Sequence, residues 1–137
     1  MTYQESTKKH FVFSTAEDTS EAVIGAINAL LAVVGCPEAV RRNIDVALDE
    51  ICTNISEYAY PGSSGSFSVH VELEANRLDL LISDSGVPFN PLDRSDTLQG
   101  DENGGFGINI VRKLMDTMEY FHEGGRNKLH IAKTWEP

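Results

Sequence analysis

Apolar residues return at Val40, Ile44, Leu48, Ile51 and Ile55, the ~3.6-residue period of one buried helix face. The pattern predicts a helix from about Pro37 to Tyr60, whose apolar stripe must be covered by a second layer of structure. Glu50 and Asn54 stand one turn apart, and Glu57 follows on the same stripe. On a helical wheel this polar stripe borders the apolar face rather than opposing it. A carboxylate and a carboxamide therefore sit at the rim of the core, where packed backbone can hold a general base and a metal ligand in place. A solvated helix edge would carry the same letters, so the rest of the chain has to decide.

Around this helix the sequence breaks into short periodic segments. Lys8 to Phe13 reads as a first strand, and residues 1–7 as a frayed end. Ala22, Val23, Ala26, Ile27, Leu30, Leu31 and Val34 make an amphipathic helix closed by Gly35, and Pro37 opens the next helix at its first turn. After the loop Pro61–Gly65, Phe67, Val69, Val71 and Leu73 alternate with polar residues, the period of a strand with one wet face. A turn at Ala75-Asn76-Arg77 leads into Leu78–Ser83, predicting an antiparallel hairpin. Asp84 to Asn103 has no clear period and is rich in Asp, Pro, Gly and Ser; so long a loop is usually functional or mobile. A helix carrying Ile108, Val111, Leu114 and Met115 follows, then a strand at Glu119–Glu123, a hairpin turn at Gly124-Gly125-Arg126-Asn127, and a closing strand at Leu129–Trp135. His70, His122 and His130 read as ordinary strand residues. The order β-α-α-β-β-loop-α-β-β argues for a single α+β domain over residues 1–137, built as a two-layer sandwich.

The chain has 137 residues and a formal charge of −10, which argues against nucleic acid or an anionic membrane as the main partner. A single nucleotide is still allowed, because backbone N–H groups and one metal ion can hold that charge locally. Cys36 and Cys52 lie in helical pattern and read as small buried hydrophobes, not a disulfide framework. No stretch resembles a signal peptide or reaches the length of a membrane span, so a cytoplasmic protein is expected.

Two further polar elements fall at the mouths of these segments. Asp84-Ser85-Gly86-Val87-Pro88 directly follows a strand; it fits an ordinary turn, and it also fits a carboxylate accepting a hydrogen bond from an amino group. Gly104-Gly105-Phe106-Gly107 runs into a helix, where glycines let backbone approach a phosphate and the helix N-terminus supplies free donors. It is not a Walker loop, since no Lys-Ser or Lys-Thr follows, and it does not follow a strand as a dinucleotide-binding turn would.

Glu50-x-x-x-Asn54, Asp84-x-Gly86 and Gly104-Gly105-x-Gly107, in that order, resemble the N, G1 and G2 boxes of the GHKL ATPases. Leu48–Asn54, Asp84–Pro91, Val111–Asp116 and Gly124–Asn127 are most similar to the anti-sigma-factor serine/threonine kinase branch, and the resemblance runs from about Lys8 to Lys133. It implies a Bergerat-type fold: a mixed sheet, helices on one face, and ATP beneath a lid formed by residues 90–104. It implies that Asn54 ligates Mg²⁺ and that Glu50 acts as general base toward a serine or threonine hydroxyl. Asp84 would receive the adenine amino group, Gly86 would clear space for the ring, and Gly104, Gly105, Phe106 and Gly107 would meet the phosphates. The implied partners are a sigma factor and a STAS-type anti-anti-sigma protein in a partner-switching circuit, with a homodimer possible by family habit.

The chain departs from that branch at two places. Tyr58 stands where many members have a His, and the lid carries Asp93, Asp96, Asp101 and Glu102 against a single cation, Arg94. These leave a second reading open: a non-catalytic, nucleotide-gated partner-binding module of the same fold.

Overall fold

The computed structural model describes residues 6–17, 19–90 and 105–137. Five strands and three α-helices alternate as β1 (Thr7–Ser14), α1 (Thr19–Val33), α2 (Glu38–Asn54), β2 (Ser66–Glu74), β3 (Arg77–Asp84), α3 (Gly105–Leu114), β4 (Thr117–Glu123) and β5 (Arg126–Thr134). The fold is α+β, as the element order predicts. Of the expected frayed end, residues 1–5 lie outside the described residues and Thr7 already belongs to β1. The expected lid lies outside them too, apart from Asn90.

Three details differ from expectation. The long helix does not run to Tyr60 as α-helix. It stops at Asn54, and Ile55–Ala59 forms one π-helical turn, a wider winding whose residues still read as helix in any apolar periodicity. Pro37 stands at the N-cap of α2 (φ −58°, ψ 144°) rather than inside its first turn. The sheet, expected to be mixed, is antiparallel at every pairing, in the order β1-β2-β3-β5-β4. The reason is topological. β3 and β4 run in the same direction, joined through α3, and would pair in parallel if adjacent. The β4–β5 hairpin instead inserts β5 between them. That hairpin turns on Gly124 and Gly125 alone, at φ 60° and 74°, the positive values a two-residue reversal of matching twist requires.

All three helices pack on one face of the sheet. Val23, Ile27 and Leu31 of α1 and Ile44, Leu48 and Ile51 of α2 bury the stripes their spacing foretells. They meet Phe67, Val69, Val71 and Leu73 of β2, Leu78, Leu80 and Ile82 of β3, and Leu129 and Ile131 of β5. Asn28 Nδ2 ties α1 to α2 through Asp45 Oδ1 at 2.8 Å. Both cysteines are buried free thiols, and burial pushes Cys52 up to about 12. The opposite face of the sheet is polar, with His10 and His70 stacked at 4.2 Å across β1 and β2. No helix among the described residues is long and apolar enough to cross a membrane.

Candidate functional site

One inward-facing row of residues crosses the sheet from Phe13 to Phe67, Asp84 and Asn127. It begins as apolar core, with the Phe13 and Phe67 rings 5.8 Å apart. It ends in polar groups where β3 and β5 run out beneath the C-terminal turn of α2. There a cavity opens, lined by Ile51, Asn54 and Ile55 on the helix side and by Ile82, Asp84, Tyr120, Asn127 and Leu129 on the sheet side, with Phe89 at its edge. The space open to the centre of a water-sized sphere is about 30 Å³, within a recess of about 360 Å³ counting the mouth open to solvent. Three polar side chains on its wall, Asn54, Asp84 and Asn127, are each only 4% exposed. Buried polar groups need partners, so the bonds each one makes are informative.

Asp84 and Asn127 are directly opposite each other on β3 and β5. Asp84 Oδ1 accepts from the Gly86 N–H at 2.9 Å and from Asn127 Nδ2 at 2.8 Å. Asn127 Nδ2 also donates to the Val87 carbonyl at 2.9 Å, while Oδ1 accepts from the Phe89 N–H at 3.0 Å and from the Tyr120 hydroxyl. Two acceptors on one end and two donors on the other leave only one orientation of this amide. The carboxylate is thus held rigidly at the cavity wall, and both bonds it accepts among the described residues fall on Oδ1. Oδ2 keeps its capacity to accept from a bound amino group.

Asn54 is the contrasting case. It is the last residue of α2, and its Nδ2 is buried without a hydrogen-bond partner among the described residues. An unpaired buried amide costs ~1–3 kcal/mol, which a ligand oxygen would recover. Its carboxamide also fits a hard cation that takes most of its ligands from phosphate and water. The described residues contain no cluster of three or more His, Cys, Asp or Glu able to hold a metal by themselves.

Glu50, one turn before Asn54, is half-buried but is not among the residues lining the cavity. Burial, and then the charges of Asp49 and Glu57, hold its carboxyl above the usual range. That direction suits a group meant to accept a proton near neutral pH. Gly86 packs closely against the turn that follows Asn54. A Cβ there would stand 2.2 Å from the Ala59 carbonyl oxygen, which also accepts the Val87 N–H at 2.8 Å. Gly105, Phe106 and Gly107 form the first turn of α3, whose leading N–H groups have no partners within the helix; Gly104 lies outside the described residues. The structure thus brings Asn54 and Asp84 to one cavity and leaves Glu50 outside its lining.

Asn127 was the residue missed. Gly124-Gly125-Arg126-Asn127 reads as a turn and Leu129 as the strand's beginning, whereas β5 starts at Arg126. Parity could have exposed it: Leu129 and Ile131 face inward, and counting back by two puts an asparagine among core positions. Phe89 and Tyr120 carry no comparable signal.

Residues 13–133 match the family model of the histidine kinase-like ATPase domain. The chain is 29% identical over 97 residues to proteins named serine-protein kinase RsbW from Bacillus thuringiensis (strain Al Hakam) and Bacillus cereus (strain AH820), covering 64% of this chain and 61% of each relative. The protein of that name from Bacillus mycoides (strain KBAB4) is 28% identical over the same span. The matched stretch is therefore about six-tenths of those relatives' length. Family match, element order and a cavity walled by Asn54 and Asp84 agree, and the chain belongs to the histidine kinase-like ATPase domain family.

Proposed function

We propose that this chain binds ATP with Mg²⁺ and acts as a serine/threonine protein kinase on a STAS-type anti-anti-sigma protein, holding a sigma factor in the alternate state of a partner-switching circuit. The observation that carries the nucleotide site is that one cavity brings together a rigidly held carboxylate, Asp84, and an amide, Asn54, whose Nδ2 lacks a partner among the described residues. The likeness to proteins named serine-protein kinase supports the reaction class.

In this reading Asp84 accepts from the adenine amino group, and Asn127 keeps Asp84 in place through its own four bonds. Asn54 offers Oδ1 to the metal and Nδ2 to a phosphate oxygen, and the first turn of α3, Gly105 to Gly107, presents N–H donors to the phosphates. Held there by Asn54, Mg²⁺ would offset phosphate charge. Glu50 takes the proton of the partner's serine or threonine hydroxyl as that oxygen bonds to the γ-phosphorus and the bond to ADP breaks. Most of the acceleration then comes from positioning and charge, so few side chains are needed.

The test is incubation with Mg-ATP and a candidate STAS antagonist, read as phosphoserine or phosphothreonine. Glu50→Gln should abolish transfer and leave Mg-ATP binding intact. The position of Glu50 outside the cavity lining favours a second reading, a nucleotide-gated binding module without transfer. Nucleotide-dependent partner capture with no phosphoprotein formed would select it.

A further inference from the structure

The π-helical turn begins at the residue after Asn54 and ends on the loop that follows Asp84. Three successive residues make that junction. Tyr58 stacks on Phe89 with ring centroids 5.1 Å apart. Ala59 accepts the Val87 N–H at 2.8 Å on the same carbonyl oxygen that leaves no room for a Cβ on Gly86. The Tyr60 hydroxyl accepts the Ser85 N–H at 3.1 Å and donates to the Ser66 carbonyl at 2.7 Å.

We infer that the turn Ile55–Ala59, with Tyr60, is a positioning element that couples the two ends of the cavity, so that seating a base against Asp84 and capturing metal-bound phosphate at Asn54 reinforce each other. This rests on the nucleotide reading above. The contacts are the physical link. The loop at 85–89 is tied to Ala59 by the Val87 hydrogen bond and the close approach of Gly86, and Ala59 is five residues of continuous winding from the Asn54 backbone. A π turn is rare and tends to occur at functional sites; it allows a change of winding next to a ligand without melting the helix that precedes it. Coupling of this kind is reciprocal: the base tightens metal-phosphate binding by the same factor that metal-phosphate tightens the base.

The experiment measures dissociation constants by calorimetry for ATP with and without Mg²⁺, and for adenosine, in the wild type and in Tyr60→Phe. The substitution keeps the ring against Gly65 and removes only the hydroxyl. The Mg²⁺-dependent gain in ATP affinity should fall roughly threefold to tenfold, the scale of the one hydrogen bond lost to the Ser85 loop, while adenosine affinity shifts by less than about twofold. Gly86→Ala should act in the same direction; Tyr60→Phe keeps the test decisive if that variant folds poorly. An unchanged Mg²⁺ ratio, with ATP and adenosine weakened alike, overturns the coupling and leaves the nucleotide site standing. A wild type that binds neither ligand overturns the nucleotide reading and takes the coupling with it.

Discussion

The two polar ends of the cavity are prepared in opposite ways. At the sheet end, Asp84 is fixed by Asn127, and every polar atom of the Asn127 side chain is itself bonded, to Val87, Phe89 and Tyr120 as well. At the helix end, Asn54 is equally buried yet leaves Nδ2 unpaired. The first arrangement is complete before anything binds and contributes to holding the fold together. The second has a hydrogen bond still to make among the described residues. A site built this way places its rigidity where a flat, neutral base would be recognised, and its unmet hydrogen-bonding capacity where charge would arrive.

The largest effect that can break this contrast is Asn127→Ala. It removes one donor each from Asp84 and Val87 and the acceptor that Asn127 offers to the Phe89 N–H and the Tyr120 hydroxyl, so urea denaturation should show a loss of roughly 2–4 kcal/mol. Asn54→Leu should behave oppositely. Replacing an incompletely bonded amide by an apolar group of similar size should leave the ligand-free protein unchanged or up to about 1 kcal/mol more stable. The same variant should lose the thermal stabilisation by Mg-ATP that mass action would otherwise supply. A strongly destabilised Asn54→Leu protein would erase the distinction between the two ends.

The smallest effect serves as a control from the far face of the sheet. His130 lies 2.9 Å from Asp79 and 3.1 Å from Glu119, and Asp79 is also held by Arg77 at 2.7 Å. Burial works to lower the imidazole, but its bonds to Asp79 and Glu119 and their charges outweigh this, and it is raised above its ordinary 6.5. A group raised in the folded state contributes fully below its unfolded value and loses that contribution as pH climbs through the folded one. Stability should therefore decline above about pH 6.5 by less than ~1 kcal/mol for this partly exposed pair. His130→Gln should flatten that decline in a pH series of denaturation curves while leaving nucleotide response untouched.

What could be read from the letters follows periodicity. The stripes of α1 and α2 and the alternation of β2 and β3 are long enough that burial follows spacing, and the polar residues at their ends, Asn54 and Asp84, stand out as interruptions. Winding and strand order could not be read this way. A π turn at Ile55–Ala59 has the composition of the helix it extends, so its change of pitch leaves no trace in hydrophobicity. The antiparallel insertion of β5 depends on which strands meet in space, and nothing in Leu129–Trp135 names β3 as a neighbour. Asn127 is obscured by its position, because Gly124-Gly125-Arg126-Asn127 reads as one turn, whereas the turn ends at Gly125, two residues sooner.

That reversal at Gly124 and Gly125 also has an evolutionary edge. Glu123 faces Arg126 across it, and this pairing decides that Arg126 reaches outward to Ser83 while the next residue faces the cavity. One extra residue there has to be swallowed as a bulge, or the strand slides and a guanidinium takes the place of the carboxamide beside Asp84. Descendants of this chain can therefore lengthen many of their surface loops freely, but this two-residue connection is one whose length they must keep.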